Sequence, residues 1–434
     1  MGNTFDIHVH HLTRVEGHGN IVVNMREGAL EKCHLQVVEA PRYFEAMIRG
    51  RSFHEAAVLT SRICGICSLG HQLTSLKATE AALGLEVSEQ TVQLRKLLVD
   101  GATFQSNVLH ALFLAAPDFL GVGSVFPLVQ THPEVVLAAL RMKRLANDIG
   151  EVVSGRAVHP ITCVPGGFTQ LPSAPQLRQL LLRLQTEARA DLELAVQAVL
   201  SVAGNIPAFA RETEYISLKS DREYALYDGV IHSSDAGATP VNDYLGVTNE
   251  QIKPHSTAKH THYKRTSYMV GALSRWNNNH QQMNEAGRAV GKALGLSGPS
   301  HNPYHITVAQ LAETAHCVRS CIERIDALLT RGLKEEKPDQ EPTRYGRGVG
   351  STEVPRGILF HDYTYDRKGT VVAANCIIPT NQNFANIDDD MVKLVPEIVH
   401  LDRAEITRRL EMLVRAYDPC ISCSVHMVDV TFVE

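Results

Sequence analysis

Two short cysteine motifs lie near opposite ends of the chain. One is Arg62-Ile63-Cys64-Gly65-Ile66-Cys67-Ser68-Leu69-Gly70-His71. The other is Asp418-Pro419-Cys420-Ile421-Ser422-Cys423-Ser424-Val425-His426. Each is a Cys-x-x-Cys pair followed closely by a histidine. Thiolates are soft, strongly donating ligands, and two such pairs could close around a soft or borderline metal. Structural zinc sites usually place their pairs about 15–20 residues apart. Here residues 68 to 419 intervene. Three chemistries stand open on spacing alone: a long-range zinc staple, a catalytic metal or cluster, and a redox dithiol.

The elements between the motifs must bring them together. Ser68 can start a helix through Leu69, Leu73, Leu76 and Leu83 that ends before Gly84. Further helical patterns run over about 88–116, 133–153, 173–202, 306–329 and 402–416. Asp418-Pro419 stops the last one. Residues 19–40 read as a hairpin turning at Arg26-Glu27-Gly28, and 368–380 as a second, shorter one. Lys334 to Arg347 is a polar loop, and 204–303 is mixed and rich in His, Asn and Thr.

The expected class is α+β, predominantly α. A long central helix bundle would carry small peripheral β-sheets, with both cysteine motifs meeting at its centre. The chain reads as one domain, 1–434. Its parts are a β-rich segment 1–50, a helical core 51–203 and a mixed peripheral region 204–303. A helical and β canopy over 304–426 and a tail over 427–434 complete it.

The 434 residues allow a large buried core, and 44% apolar with 21% charged residues is ordinary for a globular protein. A net charge of -5 gives no reason to expect nucleic acid or an anionic membrane as partner. No apolar run reaches the roughly 18 residues that span a bilayer, so no direct membrane insertion is expected. The N-terminus lacks the order of a signal peptide. Nine cysteines in a chain of this length do not suggest a secreted disulfide framework. Cytoplasm is therefore the expected compartment.

The flanking residues narrow the choice. Arg-x-Cys-Gly-x-Cys-x-x-x-His with a terminal Asp-Pro-Cys-x-x-Cys-x-x-His resembles the large, catalytic subunit of nickel-iron hydrogenases. Thr13-Arg14-Val15-Glu16-Gly17-His18 resembles an N-terminal segment of that family. Gly155-Arg156-Ala157-Val158-His159-Pro160 with Pro165-Gly166-Gly167 resembles another. Glu353-Val354-Pro355-Arg356-Gly357 and Ile378-Pro379-Thr380 resemble its active-site canopy. The resemblance runs from about residue 10 to 426 and is patchy over 204–303. Ser106 stands where some members carry an aspartate, which resembles the cytosolic, multimeric branch.

The resemblance implies reversible heterolytic cleavage of H2 to protons and electrons at a nickel-iron centre. Cys64 and Cys420 would be terminal thiolates on nickel. Cys67 and Cys423 would bridge nickel to an iron carrying carbonyl and cyanide ligands. Arg356 would sit over the open metal position, polarising H2 or acting as a base. Glu16 would take a proton from the Cys420 sulfur, a role suited to a buried carboxylate beside a thiolate. Thr380 would donate a hydrogen bond to a cyanide, and Leu359 would pack around the diatomic ligands with Pro355 beside it. His71, one helical turn after Cys67, could donate to a bridging sulfur. Glu45, His426 and the backbone carbonyl at Cys376 would hold a structural magnesium. His8, His10, His232, His255, His260 and His262 read as plain core or surface residues.

The family's maturation endopeptidase would remove residues 427–434, cutting after His426. The other cysteines, Cys33, Cys163, Cys317, Cys321 and Cys376, lack iron-sulfur spacing, and no Gly-x-Gly-x-x-Gly follows a strand. Electrons must then leave through an iron-sulfur small subunit, with further electron-transfer subunits beyond it. The alternatives are a zinc-stapled scaffold without redox chemistry and a thiol oxidoreductase using Cys64 and Cys67. The second would need neither the other pair nor Arg356.

Overall fold

The structure, a computed structural model, describes residues 4–338 and 340–425. His426 and the tail 427–434 lie outside the described residues. Long helices dominate, with small sheets around them. Three strands, β1 (Phe5–Val9), β2 (Gly19–Arg26) and β3 (Ala29–Val37), form an antiparallel sheet in that order. The hairpin expected over 19–40 is its second half. Alternate residues of β2 are buried, as expected of a sheet with one face on the core.

The helix Ser68–Leu83 begins right after Cys67 and ends at Gly84, which adopts φ 65. Helix Glu89–Val108 is capped by the Ser88 hydroxyl, which accepts from Thr91 N at 3.0 Å. It runs on through a π-helical segment, Leu109–Ala115, into Ala116–Phe119. Pro117 has no N–H to bond back to Phe113, so an α-helical ladder could not pass through this point unchanged. Helix Pro133–Ser154 follows. The helical pattern over 173–202 is likewise interrupted by a π segment, Leu184–Ala188. Helix His305–Arg331 is buried along most of its first half and packs along Glu89–Val108.

A short antiparallel pair, β4 (Cys163–Val164) and β5 (Gly167–Phe168), follows the Gly155–Pro160 segment. The mixed stretch resolves into β6 (Glu214–Lys219), β7 (Val230–Ser233), β8 (Gly237–Thr239), β9 (Gln251–Lys253), β10 (Ser256–His260) and β11 (Tyr268–Met269). Four of these form a sheet in the order β11-β6-β7-β8, with β11 parallel to β6, while β9 and β10 make a separate hairpin.

The last sheet is β12 (Arg347–Val354), β13 (Gly357–Tyr365) and β14 (Val371–Ile377), antiparallel in that order. This corrects the short hairpin expected over 368–380. The turn there joins β14 back to β13, and Pro379 opens a helix, Pro379–Ile398. That helix escapes an apolar-periodicity reading because its inward face is polar. Gln382 donates to Ile358 O at 2.7 Å, Asn383 Oδ1 accepts from Val270 N at 2.9 Å, and Asn386 Oδ1 accepts from Thr213 at 2.6 Å. These three side chains find protein partners.

One apolar cluster holds all four motif cysteines together with Ile48, Phe53, Val354, Leu359 and Ile378. It forms where helix Ser68–Leu83 lies flat on β12. Gly348 and Gly350 permit that approach: a Cβ on Gly350 would run into the backbone of Thr74 and Ala78. Gly350→Val is therefore expected to destabilise the fold by roughly 1–3 kcal/mol through overpacking. Gly204→Ala, with nothing within 4 Å, should stay close to wild type. Thermal unfolding of the two variants checks the contrast.

Candidate metal centre

The first motif is held between a short 3-10 turn, Ser61–Ile63, and the helix that follows. Cys64 is extended (φ -147, ψ 139), and Cys67 occupies the position just before the helix. This turn projects both sulfurs to one side. Cys67 N donates to Cys64 Sγ at 3.2 Å. The Gly155–Pro160 segment braces the motif from outside: His159 N donates to Ser68 Oγ at 3.1 Å, and the His159 Nδ1 lies 3.0 Å from Ser61 O.

The second motif follows helix Arg403–Ala416 and pairs with the N-terminal segment. Glu16 N donates to Pro419 O at 3.3 Å and Ile421 N to Glu16 O at 2.8 Å, a parallel bridge between Glu16 and Cys420. Gly17 makes this approach possible. Its φ is +85, and a Cβ there would stand 2.7 Å from Ser422 N.

The sulfurs of Cys64 and Cys420 are 3.5 Å apart. Cys64, Cys67 and Cys420 offer ligand atoms within 4.8 Å of one another, and all are buried. The Cys420 and Cys423 sulfurs are in direct contact, and ligation by both would use their thiolate form. The hydrogen bond with Cys67 pulls Cys64 below the usual thiol range against the effect of burial, with Arg356 adding to it. The same bond and burial push Cys67 up. Cys64 is thus the thiol of the pair that ionises first.

Arg356 sits on the two-residue turn between β12 and β13, where Val354 pairs with Gly357. Its Nη1 is 3.4 Å from Cys67 Sγ. Its Nε donates to Asp418 O at 2.6 Å and its Nη2 to Asp418 Oδ1 at 2.7 Å. Burial opposes its charge, but Asp418 and the two thiols outweigh it and hold the guanidinium firmly protonated. Asp418 also accepts from Gln310 Nε2 at 3.3 Å, and Gln310 Oε1 lies 2.6 Å from His110 Nδ1 in the π segment. The turn itself is held by Arg275, which donates to Val354 O at 2.9 Å and Pro355 O at 2.8 Å. Glu313 and Glu353, both fully buried, neutralise Arg275.

Glu16 Oε2 is 3.2 Å from Cys420 Sγ and accepts from Ser422 N at 3.1 Å. Glu16 is half-buried rather than buried, so it stands between the sulfur and solvent. The Thr380 hydroxyl accepts from Cys420 N at 3.0 Å, leaving its own hydrogen to donate. Leu359 is fully buried in the cysteine cluster.

His71 points its Nδ1 at His361 Nε2, 3.1 Å away, and His361 Nδ1 lies 2.5 Å from the Tyr363 hydroxyl. Burial drives His71 down to about 3, so its ring is neutral. Glu45 is buried and close enough to Cys376 to help burial raise that thiol. Arg42 N donates to Val425 O at 3.4 Å, which brings the Glu45 segment beside the last described residue. His426 itself is outside the described residues. Ser106 is buried in helix Glu89–Val108 with its hydroxyl unpaired.

Three residues with clear positioning roles were not singled out from sequence. Asp418 balances Arg356. Arg275 clamps the Arg356 turn. The Arg42 guanidinium donates to Ile63 O at 2.5 Å and also to Ser422 O, tying the two cysteine motifs to one side chain. Asp418 lies inside a segment quoted for its other residues, and Arg42 lies three residues before Glu45. Arg275 carries no local signal.

A family description, nickel-dependent hydrogenase, matches residues 42–132 and 200–426, and a HoxL-like description matches 6–40. The chain belongs to the nickel-dependent hydrogenase family. The match runs through 204–303, where recognisable motifs are sparse. The alpha chain of sulfhydrogenase 1 from Pyrococcus furiosus is 32% identical over 97% of this chain and 98% of its own length. An F420-non-reducing hydrogenase chain of Methanothermobacter thermautotrophicus is 31% identical over 96% of this chain and 94% of its own. The H2-reduced NAD+-reducing [NiFe]-hydrogenase structure superposes with a TM-score of 0.88 at 28% identity, covering 98% of this chain and 100% of that one. None of these relatives supports a zinc-stapled scaffold.

The donor set fits a nickel-iron pair. It offers soft sulfurs in a buried pocket, with a fixed cation beside them to offset thiolate charge. Removing Asp418 would leave that cation uncompensated. Asp418→Ala should cost roughly 3–5 kcal/mol, and Asp418→Asn, which keeps an acceptor, should cost less. Denaturant unfolding of both variants would show the order.

Proposed function

We propose that this chain is the catalytic large subunit of a multisubunit [NiFe] hydrogenase of the cytosolic branch. The observation that carries the reading is the convergence at one place of Cys64, Cys67 and Cys420 with Arg356 on one side and Glu16 on the other. Cys64 and Cys420 would hold nickel, and Cys67 and Cys423 would bridge it to an iron bearing carbonyl and cyanide. When bound, this pair supplies the heterolytic splitting of H2.

The chain's own residues supply the rest. Arg356 is a fixed positive charge that needs no reorganisation as charge develops beside Cys67. Its rigidity comes from Asp418 and from the Arg275 clamp on its turn. Glu16 is positioned to accept a proton from the Cys420 sulfur and release it toward solvent. Thr380, held by Cys420 N, is positioned to donate to an iron ligand. Glu45, the Cys376 carbonyl and His426 would hold magnesium. Endopeptidase removal of 427–434 would complete maturation.

The loop between Cys64 and Cys67 reaches the surface at Gly65. A cleft of about 250 Å³ beside it is lined by Gly65, Ile66, Leu69, Leu109 and Val158. Val158 is about half exposed there, at 45%, and Ile161, three residues on in the chain, is 54% exposed. This apolar face supports docking of the iron-sulfur small subunit on the first motif.

Protein purified with its maturation machinery should contain one nickel and one iron per chain and show infrared bands of metal-bound carbonyl and cyanide. Cys420→Ser should lose both the metals and H2 turnover. Stoichiometric zinc without those bands would overturn the reading. Glu16→Gln should keep the metals and bands yet slow proton exchange between H2 and solvent by about 10²-fold or more. Unchanged exchange in that variant would remove Glu16 from the proton path.

A further inference from the structure

A second cluster of ligand-type side chains lies outside the cysteine site. His255 and His260 stand on the β9–β10 hairpin, and Asp388 stands on helix Pro379–Ile398. The Nε2 atoms of both histidines are each 3.9 Å from Asp388 Oδ2. The three ligand atoms lie within 4.8 Å of one another. Both Nε2 atoms are buried and have no hydrogen-bond partner. His260 as a whole is only 4% exposed. Two unpaired imidazole nitrogens facing one carboxylate oxygen would be costly without a partner.

The carboxylate is held in place. Asp388 Oδ1 accepts from Leu35 N at 2.7 Å, which leaves Oδ2 directed at the histidines. The His34 ring stacks on His255 with centroids 4.1 Å apart and fixes its plane. The hairpin is tied down as well: Thr257 donates to Glu39 O at 2.6 Å. Supporting groups that orient a carboxylate and an imidazole are what a metal site requires.

We propose that His255, His260 and Asp388 bind a divalent first-row transition-metal ion, with zinc the simplest occupant. Two imidazoles and one carboxylate suit zinc, iron, cobalt or nickel and are poorly matched to magnesium or calcium. Ligands about 2.1 Å from a tetrahedral metal lie about 3.4 Å apart, so the 3.9 Å gaps need to close only slightly. The His255 and Asp388 side chains keep 28% and 16% exposure, which gives an entry route and room for water as a fourth ligand. Lys253 is a positive group acting on all three residues, and Asp389 adds negative charge beside Asp388.

A bound cation would offset the burial penalty on the Asp388 carboxylate. The ion would clasp the β9–β10 hairpin to helix Pro379–Ile398, whose first turn carries Thr380. Its place is structural.

The test uses the mature, metal-loaded complex, treated with a mild chelator and dialysed against limiting zinc. Wild type should retain one zinc per chain at submicromolar free zinc, with nickel and iron content unchanged and a raised unfolding temperature. His255→Gln, at a partly exposed position, and Asp388→Asn should each weaken zinc binding at least tenfold with nickel and iron unchanged. Cobalt(II) should give a visible ligand-field spectrum in wild type that both variants lose. Zinc retained equally by wild type and His255→Gln, or by neither, would overturn the proposal. If Asp388→Asn fails to fold, the His255→Gln comparison and the cobalt spectrum still decide it.

Discussion

Placing several thiolates in one dry pocket is an electrostatic problem, and the buried pair of Arg356 and Asp418 is its counterweight. Charged groups removed from water are tolerated only when paired and hydrogen-bonded. Arg356 meets this condition through two bonds to Asp418 and one contact with the Cys67 sulfur. Asp418 in turn precedes Pro419 and Cys420, so the residue that balances the arginine is covalently close to a second ligand. A single ion pair thereby joins the β12–β13 turn to both cysteine motifs.

The architecture follows from bringing those pieces together. Helix Ser68–Leu83 must lie against β12, and the glycines of β12 allow it. The N-terminal segment must run beside Cys420, and Gly17 allows that. Behind the turn, Arg275 with Glu313 and Glu353 forms a second, wholly buried charged network. Such networks are poor sources of net stability, but they restrict geometry. Here the restricted geometry is the position of Arg356. The π segment at Leu109–Ala115 adds His110 and Gln310 to the same polar system, in keeping with the frequent occurrence of such bulges at functional sites.

Helix Pro379–Ile398 links the two ligand clusters of the molecule. Thr380 in its first turn bonds the Cys420 backbone, and Asp388, two turns on, faces His255 and His260. Its inward face is built from Gln382, Asn383 and Asn386 rather than from aliphatic residues. That choice suits a helix that must be positioned by directional bonds, since hydrogen bonds specify orientation where apolar contact does not.

Some of this was legible in the residues alone. Helices such as Ser68–Leu83 and Arg403–Ala416 announce themselves by local means, through caps, apolar period and a stopping glycine or proline. The cysteine pairs announce their chemistry because thiolate donation is a property of the residue and its spacing. Other features were not legible. The helix that opens at Pro379 gives no signal beyond the hairpin expected over 368–380, because a polar inward face carries no apolar period. Asp418, Arg42 and Arg275 took their meaning from what lies opposite them, and His255 and His260 read as ordinary histidines. Local pattern alone settles the helices with an apolar period, the ligand types and the hydrogenase resemblance, all of which depend on neighbours within a few turns or on the donor atoms themselves. Which charges are paired and which histidines face a carboxylate is set by the folded chain. Those are contacts between residues far apart in the chain, and packing alone sets them.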